Sequence, residues 1–311
     1  MTLSGKTALA LGAVKGIGRE IGRALAEDGV RLALTHFDWE ESLPEMRTVF
    51  AESGADHEIY RIDLRDTDAI PVLMERVVDR FGGLDILINN IERGGWPVVH
   101  GAYVRDQWDL EMATTLRAKQ WVFQAALPHL KASGDGAAIN FSSIAGLVGR
   151  SGPAGLVFND GYAAANRGIS LLTETWARLG APEVRVNEIM LGLFETRHGE
   201  KTRGWGLLTE EQRKALVDHT LLGRTGKLDD VVRAVRFLLA ERKTLWTEGE
   251  IVGCTQGDIV ETTETSRGYV SRILGVLETE GYVERASYTA GRQALFRLKD
   301  FDRLLDAWVR E

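Results

Sequence analysis

Cysteine is nearly absent from this 311-residue chain, with Cys254 its only example. One thiol excludes an internal disulfide and a cysteine-rich zinc site, and it suits a reducing compartment. Long apolar runs are missing as well. No stretch approaches the roughly 18 apolar residues of a membrane span. The opening MTLSGKTALALG lacks the charged start, sustained apolar run and small-residue cleavage site of a secretory signal. These absences lead to the expectation of a soluble cytoplasmic protein. Positive charge is also scarce: 38 Lys and Arg stand against 45 Asp and Glu, for a net charge of −7. That balance argues against a surface built throughout for nucleic acid or anionic membrane, while leaving room for a local basic face. Neither an internal repeat nor a low-complexity tract interrupts the chain.

The pattern that is present alternates. TALAL (7–11) reads as a short apolar strand, followed by a glycine-rich turn, a helically spaced stretch over 18–29 and a second strand, VRLALT (30–35). The alternation continues with HEIYRIDL (57–64), a helix over 67–81, LDILINN (84–90), a long helix over about 105–131 and GAAINFSS (136–143). A helix over about 162–179, the strand VRVNEIM (184–190), a helix near 229–240 and a last candidate strand around 250–252 complete it. Strands alternating with long helices predict a Rossmann-type, doubly wound parallel sheet covered on both faces. The segment 192–222 reads as a long loop, either a lid over a site or a mobile insertion. From Gln256 the grammar changes to two short helical stretches (257–262 and 266–280) and a two-strand ribbon, YVERAS and ALFRL, turning at Gly291. The domain boundary is therefore placed near residue 255, giving a 1–255 domain and a 256–311 domain.

LGAVKGIGREIG sets Gly12, Gly16 and Gly18 between the first strand and the first helix. Glycines there let the chain turn tightly and let a pyrophosphate approach the helix N-terminus. The G-x3-G-x-G spacing resembles the short-chain dehydrogenase/reductase family, and further segments share the resemblance in order: RIDLRD, NNIE, FSSIAG, a tyrosine in GYAAANRG and VRVNEIMLG. It spans about residues 3–253. It implies a nicotinamide dinucleotide held by Gly12, Lys15, Gly16, Ile17, Gly18, His36, Asp63, Leu64, Asn89, Asn90 and Asn166. The family's acidic residue ending the second strand is replaced by His36, and Lys15 lies within the glycine turn. Lys15 can be read as a contact for a 2′-phosphate or as a solvated surface lysine, and the balance leans to NADP(H) over NAD(H).

The resemblance also implies chemistry, namely carbonyl reduction with Tyr162 exchanging a proton and Ser143 hydrogen-bonding the substrate oxygen. The family's lysine four residues after the tyrosine is Asn166 here, and its supporting asparagine in the long helix is Thr115. Asn166 shares a helix face with Tyr162 but carries no charge to lower the phenol's pKa. Reduction, which uses the neutral phenol, is expected to suffer less than oxidation. A nucleotide sensor without turnover, regulating transcription through bound DNA, is the alternative from another class. The implied partners are a small carbonyl compound and a second copy of the chain, with a dimer expected and a tetramer in doubt.

The C-terminal stretch TSRGYVSRILGVLETEGYVERASYTAGRQALFRL resembles a winged helix-turn-helix module. Its second helix would present Arg267, Tyr269 and Arg272 to a major groove, the wing would carry Arg292, and Ile273, Leu274 and Leu277 would face its core. Residues 258–311 hold 8 basic and 10 acidic side chains. Without a basic excess, DNA and protein contact both stay open.

Overall fold

The computed structural model describes residues 3–92, 104–194, 203–220, 222–240, 246–247, 250–251, 254–255, 267–281, 283–286 and 295–298. The chain forms two compact units, Met1–Leu238 and Leu239–Glu311.

In the first unit the predicted alternation is present. Strands β1 (Thr7–Ala10), β2 (Arg31–His36), β3 (His57–Arg61), β4 (Ile86–Asn89), β5 (Gly136–Ser143) and β6 (Val184–Leu191) form one sheet in the order β3-β2-β1-β4-β5-β6. Every pairing in it is parallel. β1, β4 and β5 are buried along their whole length, as expected of strands covered on both faces. The order reverses beside β1, and ligands of doubly wound sheets bind at such a switch point.

The helices are α1 (Gly16–Glu27), α2 (Leu43–Ser53), α3 (Ala69–Phe81), α4 (Arg105–Glu111), α5 (Ala118–Ala132), α6 (Ala145–Val148), α7 (Asp160–Gly180), α8 (Arg203–Leu207), α9 (Glu210–Asp218) and α10 (Leu228–Ala240). A π-helical turn, Met112–Arg117, joins α4 to α5. Helix α2, which the sequence pattern did not bring out, buries only Met46 and Phe50. So narrow an apolar stripe explains its weak signal. One core cluster between the sheet and its helices includes Leu9, Leu87, Phe123 and Trp176, with the Phe123 and Trp176 rings stacked at 4.5 Å.

The segment expected as a loop over 192–222 instead contains α8 and α9. Thr209 and Gln212 form a reciprocal capping box at the start of α9, a signal the glycine count of this segment obscured.

In the second unit, α11 (Arg267–Thr279) and the antiparallel pair β10 (Val283–Ala286) and β11 (Leu295–Leu298) match the predicted helix and ribbon. β9 (Cys254–Thr255) adds a third strand against β11. The last candidate strand does not extend the parallel sheet: β8 (Glu250–Ile251) pairs with β7 (Trp246–Thr247) in a local antiparallel hairpin. Val270 and Leu274 are buried, but Ile273 is 42% exposed rather than in the core. The buried stripe of α11 runs through 270 and 274, one turn apart, and Ile273 lies on the adjacent face. Arg267, Tyr269 and Arg272 fall on α11. Arg292 and the stretch 257–262 lie outside the described residues.

Candidate active site

The glycine turn is built against the strand β4. Gly12 has φ +65°, and a Cβ there would overlap the backbone oxygen of Asn90. A Cβ on Gly18 would overlap Gly12 O and stand 2.8 Å from Asn90 Nδ2. Close packing of the turn on Asn90 thus requires both glycines. Gly16 differs, because at φ +56° a Cβ would meet nothing within 4 Å. Ile17 is half-buried beside it. Helix α1 starts with Lys15 extended at its N-cap, no side-chain cap and no acidic residue in its first turn. Its own first turn therefore offers no anion to the free N–H groups and the positive end of the helix dipole. This arrangement fits a pyrophosphate.

Around the end of β2 cationic and aromatic side chains stand among acidic ones, with Arg61 paired to Glu40 at 3.2 Å. Lys15 Nζ lies 2.9 Å from the centroid of the Trp39 ring. Arg61 and Arg65 stand over Phe37 at 5.6 and 5.2 Å. His36 is buried, and burial first, then Arg61 and Arg47, hold its pKa below the usual range against the opposing pull of Glu40 and Asp38. Asp63 is clamped by Arg65 through a bidentate contact of 2.6–3.1 Å, which lowers the carboxyl's pKa. Leu64 beside it is buried.

Asn89 departs from expectation. Its amide turns into the protein, donating to Asn140 Oδ1 at 3.1 Å and toward Lys119 O at 3.4 Å. It joins β4 to β5 and α5, and its Oδ1 is buried with no hydrogen-bond partner among the described residues.

Ser143 closes β5, and its Oγ accepts from Ala145 N at 3.2 Å, which leaves the hydroxyl hydrogen to donate elsewhere. Tyr162 lies in the first turn of α7. The N-cap Asn159 accepts from Tyr162 N at 2.9 Å and donates to the buried Glu111 at 2.6 Å. Before α7 the chain forms a 3₁₀ turn (Gly152–Leu156), and Phe158 stands against the Tyr162 ring at 5.8 Å. Trp205 and Leu208, from and beside α8, and Leu216 of α9 complete an apolar cluster around that ring. The Tyr162 hydroxyl donates to Glu92 Oε2 at 2.8 Å.

Asn166 is fully buried, and its Nδ2 donates back to Tyr162 O at 2.8 Å. Its Oδ1 is buried with no hydrogen-bond partner. The amide therefore keeps an acceptor for a hydroxyl, and one of its two N–H groups is not used by Tyr162 O. An orphaned buried acceptor fits a bound hydroxyl donor such as a ribose. Thr115 is fully buried on the π-helical turn.

The sequence reading assigned no role to three charged groups close by. Lys119, one helical turn after Thr115, is fully buried, and its Nζ donates to Phe141 O. Burial brings its pKa down to about 8, against the upward pull of Glu92 and Glu188. Because the unfolded chain would hold that proton to higher pH, this site's contribution to stability rises with pH from about 8 to about 10. Glu188 Oε1 accepts from Ser142 Oγ and from Ser170 Oγ at 2.9 Å. Burial raises its pKa, and the two serines and Lys119 oppose that. The available signal was Lys119 itself, a lysine at 3.6-residue spacing on the helix face that also buries Val122, Phe123, Ala126 and Leu130.

Residues 12–257 match the family model described as enoyl-(acyl carrier protein) reductase. The chain belongs to the short-chain dehydrogenase/reductase family of NAD(P)-dependent oxidoreductases. A 3-oxoacyl-[acyl-carrier-protein] reductase of Thermotoga maritima is 28% identical over 263 residues, which are 84% of this chain and 100% of that protein. A protein of Rhizobium meliloti described as a probable galactose dehydrogenase is 31% identical over 241 residues, 77% of this chain and 90% of the relative. The crystal structure of an NAD⁺-bound xylitol dehydrogenase superposes with a TM-score of 0.67 at 24% identity, covering 79% and 96% of the two chains, a likeness of fold. Residues 247–293 match a second model, the MarR family. No described helix is long and apolar enough to cross a membrane. No group of metal-ligating side chains occurs among the described residues.

Proposed function

We propose that the chain is a cytoplasmic NAD(P)(H)-dependent oxidoreductase that interconverts a carbonyl and an alcohol on a small molecule. The observation that carries this reading is the glycine turn feeding a helix N-terminus that has no carboxylate of its own. Gly12, Gly16, Ile17 and Gly18 would hold the pyrophosphate, Asp63 and Leu64 the adenine, and Asn90 and Asn166 Oδ1 the rest. A bound nicotinamide gives or takes a hydride at the reacting carbon. Tyr162 moves a proton at the substrate oxygen, and Ser143 Oγ donates a hydrogen bond to that oxygen as charge develops. Lys15 beside the glycine turn favours NADP(H) over NAD(H), because a 2′-phosphate adds charge that it would attract, whereas Arg61 and Arg65 already pair with Glu40 and Asp63.

The test is a fluorescence titration with NADPH and NADH, followed by turnover of a 3-oxoacyl thioester, galactose and xylitol. Saturable binding with NADPH the tighter ligand is expected, with turnover of at least one probe. Absence of binding at millimolar cofactor would refute the reading.

Domain boundaries near residue 255 and self-association through apolar residues that α5 and α7 leave exposed, Trp121 and Leu171, belong to the same proposal. The MarR-family match favours a second role for the C-terminal segment, docking of duplex DNA through α11. Binding to a duplex should then weaken steeply with salt and be lost in Arg267→Ala. If no binding appears at low salt, that role is wrong.

A further inference from the structure

A half-buried carboxylate takes the hydrogen bond of the Tyr162 hydroxyl. Tyr162 Oη donates to Glu92 Oε2 at 2.8 Å. Asn89 ties the strand that leads into Glu92 to the backbone of Lys119. Lys119 has no exposed surface, and its ammonium is anchored on Phe141 O. A charged ammonium so deep is costly, and it either gives up its proton or is held by the field of nearby carboxylates. Glu92 and Glu188 are the two that attract it. Among the described residues, further titratable or charged groups around this set are Tyr162, from α7, Glu111, which accepts from the N-cap Asn159, and Arg167, which acts on Glu188. Ser142 and Ser170 hold Glu188, whereas Glu92 accepts from the phenol. The family pattern seen in the sequence has its cation at position 166, where this chain has an uncharged amide.

We propose that Glu92 is the proton acceptor behind Tyr162, and that Lys119 is the positioning residue that keeps Glu92 a carboxylate, so that this pair replaces the charge missing at Asn166. The inference rests on the oxidoreductase reading above. In alcohol oxidation, the substrate hydroxyl proton passes to Tyr162 Oη as the phenolic proton passes to Glu92 Oε2. The O–H bond of the alcohol breaks, an O–H bond on Glu92 forms, and Tyr162 ends neutral as it began. The carbinol hydride leaves to the nicotinamide, so the alcohol is oxidised and the dinucleotide reduced. Carbonyl reduction is the same exchange reversed, starting from protonated Glu92. A phenolate is formed in neither direction. This restores a base for oxidation, the direction that the loss of the lysine should impair.

The experiment has two readouts, one independent of turnover. In protein carrying ¹³C-labelled lysine, the Lys119 resonance is titrated in the wild type, Glu92→Gln and Tyr162→Phe. The Lys119 midpoint should fall by about one pH unit in Glu92→Gln and stay in place in Tyr162→Phe. An unmoved midpoint in Glu92→Gln overturns the pair. Oxidation of xylitol, galactose and a 3-hydroxyacyl thioester is then followed against pH. Glu92→Gln should lose about 100-fold at pH 7, and its residual rate should climb toward the phenol's own range near pH 10. Lys119→Met should move the acid limb of the wild-type profile upward by about one pH unit. Adding Asn166→Lys to Glu92→Gln should recover at least about tenfold. A structural role for Glu92 would produce neither the alkaline climb nor this rescue. An active wild type with Glu92→Gln within threefold of it overturns the inference while leaving the function intact. A wild type that binds cofactor but oxidises none of the probes overturns the proton-transfer role together with the functional reading.

Discussion

Tyr162→Phe should lower turnover by about 10³-fold while leaving cofactor affinity and the unfolding midpoint close to those of the wild type. The ring's packing against Phe158 does not depend on the hydroxyl, and neither does the N-cap bond from Asn159 to Tyr162 N. Only the donor to Glu92 and the proton carrier at the substrate oxygen are removed. A steady-state assay on whichever probe the wild type accepts, run beside a thermal melt, checks both halves. Loss of less than threefold would mean that Tyr162 is not the group moving the proton, whatever its position in the sequence pattern.

Gly18→Ala should destabilise the first unit by about 3 kcal/mol, the upper part of the overpacking range. The added methyl has no room. Gly12 O and Asn90 Nδ2 already occupy its place, and the first of these is backbone on a turn that cannot yield without moving β1 or α1. The same displacement would move the α1 N–H groups, so NADPH binding should fall with stability. Gly16→Ala is the control. It has open space around its Cβ but a left-handed φ, so about 1–2 kcal/mol of backbone strain is expected. Chemical denaturation of the two variants distinguishes them. Equal effects would show that close packing on Asn90 is not what demands glycine at position 18.

The fold was legible because its signals are local and repeated. Apolar strands such as ILIN and helices with a broad apolar face fix an alternating α/β chain, and the glycine turn falls where a dinucleotide is held. Helix α2 escaped because two buried side chains in eleven residues make too faint a period. The helices over 203–218 escaped because glycines and polar residues imitate loop composition. At the site, Ser143 and Tyr162 could be found by order along the chain. Lys119, Glu92 and Glu188 could not, because a charged side chain means something only once its neighbours in space are known, and these three lie on α5, the segment after β4, and β6. Asn89 and Asn166 show the complementary limit: their positions were read, but the direction of each amide depends on partners that only packing supplies.

The seat of Lys15 on Trp39 bears on how strongly two nearly identical dinucleotides can be told apart. An ammonium resting on an indole face is held by about 0.5–2 kcal/mol. An incoming 2′-phosphate would have to draw Lys15 off that face. The measured preference is then a net quantity, the phosphate's attraction minus the contact surrendered, and it should be smaller than the basic residues around β2 would suggest. Taking the indole away would remove a competitor for the lysine. An aromatic residue that never touches the ligand thereby acts as a counterweight on discrimination, and it keeps the chain more tolerant of either coenzyme.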